Sequence, residues 1–154
     1  MNKTGQRKIK DDDTWYMATI YSNETKKFSG KIVWGEQYVN LENIVREKEV
    51  DGDKYSSEEN NKFTQKWQIS GLVETEYTDG SIKIETKTAL EQNQDDVVEE
   101  NEYGYREYCE HKGLITFTDA SNNVLSIEAL ANHNVVIKYN NEELKRYENC
   151  KEME

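Results

Sequence analysis

The feature of this chain that most limits its fold is a two-residue alternation of side-chain type between Phe63 and Tyr77. The even positions are polar, with Leu72 as the exception. A period of two places successive side chains on opposite faces of a β-strand, whereas a helix needs a period near 3.6. The segment therefore predicts a strand longer than the usual length of about five or six residues. The residues that define its apolar face are Phe63, Trp67, Ile69, Gly71, Val73, Thr75 and Tyr77.

An Asp79-Gly80 pair follows this strand and predicts a tight hairpin turn, because both central residues of a type I′ turn have positive φ. A second alternating segment, 81–89, returns after the turn. The apolar faces of the two strands then meet, as a half-buried antiparallel ribbon requires. The predicted partners are Tyr77 with Ile82, Thr75 with Ile84, and Val73 with Thr86.

Gly71 stands at the middle of the long strand and predicts a bulge or a sharp bend. A long strand bent at its centre can serve two sheets at once, which is how small barrels turn their corners. For segment 42–61 the sequence allows either a short helix or irregular structure. Segment 90–101 is predicted to be an acidic loop, which is either solvated or binds a partner. Further segments rich in β-forming residues predict strands at 14–21, 27–34, 103–110, 114–118, 124–129 and 134–139, with a turn at 119–123.

The period changes at the end of the chain and predicts an amphipathic C-terminal α-helix at 141–153. Asn140 can cap such a helix, with Glu143 three residues later. The apolar residues that recur along it are Leu144, Tyr147, Cys150 and Met153. Two roles are open for this apolar stripe: it plugs one end of the chain's own barrel, or it is a partner-binding surface for another subunit.

Charge narrows the classes of partner. The chain has 31 acidic and 20 basic residues, a formal net charge of −11. Proteins that coat nucleic acid neutralise its phosphates with a surplus of Lys and Arg, so we expect nucleic-acid contact to be indirect or weak. Residues 1–13 predict a disordered N-terminal arm, and residues 14–154 a single all-β domain. No apolar stretch is long enough to span a bilayer, so no membrane partner is expected.

The residues that most often carry chemistry are few. The chain has two cysteines, Cys109 and Cys150, which is too few for a disulfide framework and favours an intracellular setting, although a single bridge between them is permitted. His111 and His133 do not stand in a zinc-ligand spacing, and no nucleophile is accompanied by a base and an orienting group. We therefore predict no catalytic residue, no metal, no cofactor and no enzymatic activity.

The segment from Lys66 to Val73, followed by Asp79-Gly80 and Ile82-Lys83-Ile84, resembles the opening hairpin of an OB-fold. The resemblance implies a small antiparallel β-barrel, completed by the later strands and closed by the C-terminal helix. Within that family, small acidic chains that end in a helix are similar to the smallest subunits of replication protein A and of the CST telomere complex. The likeness implies a larger OB-fold partner, docking through Leu144, Tyr147, Cys150 and Met153, and a nuclear location.

Three functional hypotheses follow. The first is a non-enzymatic OB-fold-like subunit that assembles with a larger single-stranded nucleic-acid-binding protein of the telomere or replication type. The second is an acidic inhibitor or immunity-type protein that blocks a basic nuclease or toxin through the acidic segment 95–102. The third is a lipocalin-like binder of a small ligand, which requires an internal cavity.

Overall fold

A computed structural model describes residues 23–52 and 62–153, together with two short strands at 8–9 and 15–16. These residues are almost entirely antiparallel β-structure, which confirms the all-β class. A 3-10 helix, Cys150–Met153, ends the described chain. The strands are β1 Lys8–Ile9, β2 Trp15–Tyr16, β3 Asn23–Trp34, β4 Gln37–Gly52, β5 Phe63–Thr75, β6 Ile82–Asn93, β7 Val97–Glu100, β8 Arg106–Tyr108, β9 Lys112–Thr118, β10 Val124–Ala129, β11 Val135–Tyr139 and β12 Glu142–Tyr147.

Eight strands form one sheet in the order β3-β4-β5-β6-β9-β10-β11-β12. The sheet follows chain order, except that β7 and β8 form a separate hairpin between β6 and β9. Strands β1 and β2 pair with each other outside the large sheet. The predicted barrel is wrong, because β3 and β12 are the outermost strands of the large sheet among the described residues and do not pair with each other.

The long alternating strand is confirmed as β5, but its predicted pairing with β6 is wrong. Val73 lies opposite Ile82, so the connection contains more residues than the predicted two. A turn at Thr75 and Thr78 replaces the Asp79-Gly80 turn: the Thr78 amide donates to the Thr75 carbonyl at 3.1 Å, and the Thr75 amide to the Thr78 hydroxyl at 2.9 Å. The observed register differs from the predicted one by an even number of residues, so the face assigned to each side chain is retained.

Segment 42–61, left open by the sequence, is described as far as Gly52 and is extended rather than helical. The helix-like spacing of Leu41, Ile44 and Val45 reflects a bulge, because β4 shifts register between Glu42 and Val45 against β5. Gly71 faces this bulge, and a Cβ on it would lie 2.5 Å from Ile44 Cδ1 and 2.8 Å from Ile44 Cα. The predicted irregularity at Gly71 is thus confirmed, as a close approach of two strands rather than a barrel corner.

The predicted C-terminal α-helix is wrong. Asn140 and Asn141 have φ values of 47° and 69° and form the turn of a β11–β12 hairpin. Left-handed backbone at two successive residues is the signature of a type I′ turn, which Asn accepts at little cost. Pairing of β12 with β11 therefore replaces the helix, and only the 3-10 helix follows it.

The later strand predictions fall close to the observed elements. β10 has the predicted bounds, and β9 and β11 differ from theirs by one or two residues. The turn at 119–123 is confirmed: the Asp119 carboxylate accepts hydrogen bonds from the Ser121 and Asn123 amides at 2.9 and 2.8 Å. The strand predicted at 14–21 is described only at β2, and the predicted N-terminal arm, 1–13, lies outside the described residues except at β1.

Candidate interaction surface

The large sheet has one apolar face. Residues opposite each other in register share a face, so the pairing assigns each side chain to one side of the sheet. Its centre is buried, with Ile84 and Ile115 9% and 8% exposed, whereas Ile32 and Tyr139 near its margins are 58% and 43% exposed. The apolar side chains of this face are Ile32, Trp34, Val39, Leu41, Val73, Ile82, Ile84, Ile115, Phe117, Leu125, Ile127, Val135, Ile137, Tyr139 and Tyr147. The charged residues Lys145, opposite Ile137, and Glu142, opposite Tyr139, lie on the same side at the β12 margin.

The opposite face is polar and charged. Its ions pair with one another, as in Lys83–Glu85 at 3.0 Å and Lys138–Glu128 at 2.7 Å. The polar residues of this face are Lys31, Asn40, Glu42, Glu74, Lys83, Glu85, Thr116, Thr118, Ser126, Glu128, Lys138, Glu143 and Arg146. Leu72, Leu114 and the buried Val136 lie on the same side.

The described residues contain one large sheet and no second large sheet to pack on its apolar face. The strands outside the large sheet are the β1–β2 and β7–β8 pairs. Domains are normally built from at least two packed layers, because an amphipathic sheet must bury its apolar side. This sheet therefore presents a half-buried apolar surface of a kind that marks interaction sites.

Edge strand β3 carries the densest group of exposed apolar side chains. Phe28, Ile32, Val33 and Trp34 are between 46% and 61% exposed, and Tyr77 beside them is 79% exposed. The Trp34 indole donates a hydrogen bond to the Gln37 side chain, whose amide donates to the Tyr77 hydroxyl at 2.9 Å. These contacts hold polar atoms at the tip of the β3–β4 hairpin.

A second feature is a cluster built around Asp96. His111 Nδ1 lies 2.6 Å from Asp96 Oδ2, and His133 Nε2 lies 2.8 Å from Asp96 Oδ1. The Asn93 amide donates to Oδ2 at 2.6 Å. The Asp96 side chain is 7% exposed. Burial raises the pKa of Asp96, but hydrogen bonds from His133, His111 and Asn93 outweigh burial, and the pKa lies below its usual value of 3.8.

The Asp96 cluster joins three connections of the chain: the β6–β7 turn, the segment before β9, and the β10–β11 turn. A carboxylate with two imidazoles also resembles the parts of a general base. Nucleophilic catalysis would need a thiol or hydroxyl in hydrogen-bond reach, and the nearby cysteines are bonded to each other. We assign the Asp96 cluster a structural role. The described residues contain no group of three or more His, Cys, Asp or Glu side chains arranged to hold a metal ion.

Cys109 and Cys150 form a disulfide beside this cluster, so the single bridge that the sequence permitted is present. The bond joins residues 41 apart, and closing a loop of that length contributes about 3–4 kcal/mol on the chain-entropy model. Cys109 is fully buried, and its amide donates to the Asp96 carbonyl at 3.1 Å. The ring of Tyr108 packs edge-to-face on Phe63, with 5.2 Å between centroids.

The acidic segment 95–102 is partly neutralised by its own surroundings. The Lys151 ammonium bonds the carboxylates of Glu107, at 2.7 Å, and Glu99. Hydrogen bonds to these two carboxylates raise the pKa of Lys151, and the bond to Glu107 has the larger effect. Arg106 pairs with Glu100 at 3.1 Å. The segment therefore offers fewer free carboxylates to a basic partner than the sequence suggested.

The four predicted partner-binding residues do not form one stripe. Leu144 and Tyr147 lie on β12, where Leu144 is 63% exposed and Tyr147 pairs with Val135 at the margin of the apolar face. Cys150 lies in the disulfide, and Met153, at the end of the 3-10 helix, is 39% exposed.

A lipocalin-like ligand site would need an enclosed cavity. Two clefts among the described residues open to solvent and measure about 260 and 290 Å³. The first has a mixed lining that includes Asp51, Phe63 and Gln94, and the second lies beside Trp67 and Lys48. Neither is an apolar interior pocket of the kind that small-ligand binders use.

Comparison of the chain with protein-family models, with curated proteins and with solved structures finds no match. In the described part of the chain, no helix has the length and apolar character needed to cross a bilayer.

Proposed function

We propose that this chain is a non-enzymatic protein-assembly module, and that the apolar face of its sheet is covered by the same face of a second copy. The observation that carries the proposal is the single large sheet: its apolar side extends from β3 to β12, and the described residues contain no second large sheet to pack on it. Two such sheets stacked about 10 Å apart would form a β-sandwich, the usual way for amphipathic sheets to bury their apolar sides.

Charge favours a second copy as the occupant. The centre of the apolar face, on β9 and β10, is uncharged, so two copies meet there without opposing like charges. Charged side chains on this side lie towards its margins, as Lys145 does on β12. A two-fold interface brings the same patch of both copies together, so the patch must be complementary to itself. An apolar surface meets this requirement because it has no charges to match. Elsewhere the chain is strongly acidic, with a net charge of −11, and contacts between copies through those surfaces are disfavoured.

Ile127 and Ser126 supply a matched test, because they are neighbours on β10 and face opposite sides of the sheet. We expect the unmodified chain to sediment as a dimer at micromolar concentration and Ile127→Lys as a monomer. Ser126→Lys, on the polar face, should remain a dimer. Leu125→Lys repeats the test on the apolar face, and far-ultraviolet circular dichroism confirms that each variant is folded.

A monomeric unmodified chain would overturn the proposal, as would equal dimerisation of folded Ile127→Lys and Ser126→Lys. The assembly part of the first sequence hypothesis is kept here in general form. The larger nucleic-acid-binding partner, the telomere or replication setting and the nuclear location stay predictions from the resemblance alone. The disulfide weighs against a reducing compartment, because such bonds persist mainly where the surroundings are oxidising.

A further inference from the structure

Three properties of the outer edge of β3 indicate which ligand it binds: its outermost position, its length and the chemistry of its side chains. It is the outermost strand of the large sheet, and within the described residues no strand pairs with its outer side. It runs for 12 residues, long enough for a complete additional strand. An unpaired edge presents a row of amide and carbonyl groups that another extended segment can bond.

The side chains of β3 differ in chemistry on the two faces. Ile32 and Trp34 point to the apolar face, and Lys27 and Lys31 point to the polar face. Among the described residues no carboxylate lies within ion-pair distance of Lys27 or Lys31, whereas Lys26 pairs with Glu24 at 2.9 Å. The Lys31 ammonium lies 4.2 Å from the centre of the ring of Tyr38, which is on the neighbouring strand β4.

From this arrangement we propose that β3 binds an extended segment of a partner protein in which apolar and acidic residues alternate. An added strand continues the pleat of the sheet. Its apolar side chains then extend the row of Ile32 and Trp34, and its acidic side chains lie across from Lys27 and Lys31. Cross-strand pairs of opposite charge and of apolar side chains are the units that stabilise sheets.

The same charges argue against a second copy at this edge. Two β3 strands paired with each other would bring their lysines together, and like charges across neighbouring strands destabilise a sheet. Lysine on an edge strand is a common device against self-pairing. An acidic strand converts this repulsion into attraction. The interaction is separate from the proposed dimer, because stacking two sheets face to face leaves their edges open.

Substitution of Val33 tests the contribution of backbone hydrogen bonds to this interaction. Gly35 and Glu36 form a two-residue turn, so Trp34 and Gln37 exchange the hydrogen bonds that flank it. Ladder hydrogen bonds alternate along an antiparallel strand, and the amide of Val33 therefore points outward. Val33→Pro removes this donor while leaving the Trp34–Gln37 pair in place.

The test is binding of a fluorescently labelled peptide to the full chain, measured by anisotropy. The probe alternates glutamate with valine and isoleucine over about nine residues, a length that matches a typical strand. Its matched control carries lysine at every glutamate. We expect the acidic probe to bind at least about tenfold more tightly than the lysine control, a difference of about 1.4 kcal/mol.

Variants decide where the probe binds. Lys27→Glu combined with Lys31→Glu should reverse the preference between the two peptides, and Val33→Pro should weaken the acidic probe about tenfold or more. Lys145→Glu, a charge reversal on the opposite edge strand β12, should leave binding unchanged. The paired lysine variant keeps the proposal testable if Val33→Pro fails to fold.

Four results would overturn the inference. The first is equal binding of the two peptides, and the second is binding that survives both β3 variants. The third is loss of the dimer in Val33→Pro, which would place a second copy at the edge. The fourth is displacement of the probe by a synthetic peptide of residues 1–22, which would assign the edge to the chain's own N-terminal segment. Failure of the proposed dimer alone, seen with Ile127→Lys, leaves the peptide test unaffected.

Discussion

Asp96 shows how one carboxylate can organise a corner that has little regular structure. It accepts hydrogen bonds from His111, His133 and the backbone amide of Asn93. Asn93 lies in the same turn as Asp96, whereas the two histidines come from two other connections of the chain. Charge-assisted hydrogen bonds to a buried carboxylate are among the stronger ones in proteins, and loss of the acceptor leaves its donors unsatisfied.

We expect Asp96→Asn to lower the free energy of unfolding by about 2 kcal/mol at neutral pH, because an amide cannot accept from both histidines. The neighbouring exposed residue supplies the control: Asp95→Asn should change the free energy by less than about 0.5 kcal/mol. Urea denaturation followed by tryptophan fluorescence measures both. Equal losses in the two variants would contradict the structural role of Asp96.

The same pair of proteins tests the ionisation of this carboxylate. The pKa of Asp96 in the folded chain lies below 3.8, its value when unperturbed. Its contribution to stability is therefore fully present above that value and is lost as pH falls through the lower, folded pKa. The difference in stability between the unmodified chain and Asp96→Asn should accordingly shrink in acid. A difference that stays constant down to about pH 2 would contradict this linkage.

In the hairpin of β11 and β12, the helical spacing of apolar residues competes with the pairing of two strands. The spacing of Leu144, Tyr147 and Cys150 favours a helix, yet the preceding Asn140 and Asn141 adopt positive φ and turn the chain back on β11. Asn can begin either structure, as an N-cap or as a type I′ turn residue. The choice is made by hydrogen bonds to β11, which a local window of sequence does not contain.

Substitution at Asn141 separates these two structures by the sign of the effect. Asn141→Gly should stabilise the chain by about 0.5 kcal/mol, since glycine accepts positive φ without strain. Asn141→Val should destabilise it by about 1–2 kcal/mol, because a β-branched residue is strained there. Thermal unfolding of the three proteins measures both changes. A helix beginning at this point would instead be weakened by glycine, so a loss in Asn141→Gly would contradict the hairpin.

At the scale of single elements, the sequence predicted the properties that depend on one strand alone, namely its position and which side chains share a face. Alternation located β5 and assigned its faces correctly, because side-chain period is a property of a single strand. Residues with a β preference located β10. Register was not local: the Thr75–Thr78 turn and the Glu42–Val45 bulge moved the partners of β5. The Asp96 cluster escaped prediction for a similar reason, since nothing in the sequence near Asp96 marks it apart from the other acidic residues around it.

For the whole molecule, closure was the property that the sequence did not reveal. A barrel requires the last strand to pair with the first, and that depends on tilt and stagger summed over all strands. The described meander begins at β3 and ends at β12, and these two strands do not pair with each other. The described chain therefore has two different surfaces for partners: a largely apolar face and an edge that carries lysine and apolar side chains.

These two surfaces should respond to salt in opposite directions. Two copies of a chain with net charge −11 repel each other, and added salt screens that repulsion, so the proposed dimer should tighten as salt is raised. The acidic probe is attracted to Lys27 and Lys31, and screening should weaken its binding. Between about 50 and 500 mM sodium chloride we expect changes of roughly threefold or more in each dissociation constant.

Sedimentation measures the dimer and anisotropy the peptide, on the same samples. The variant with both lysines replaced by glutamate provides the control, because its affinity for the lysine peptide should fall with salt while its dimer still tightens. Parallel responses of the dimer and the acidic probe would mean that one surface serves both, and would contradict the separation of face from edge. Opposite responses would follow directly from a largely apolar face on an acidic molecule and from Lys27 and Lys31, which have no described carboxylate within ion-pair distance, on its outermost described strand.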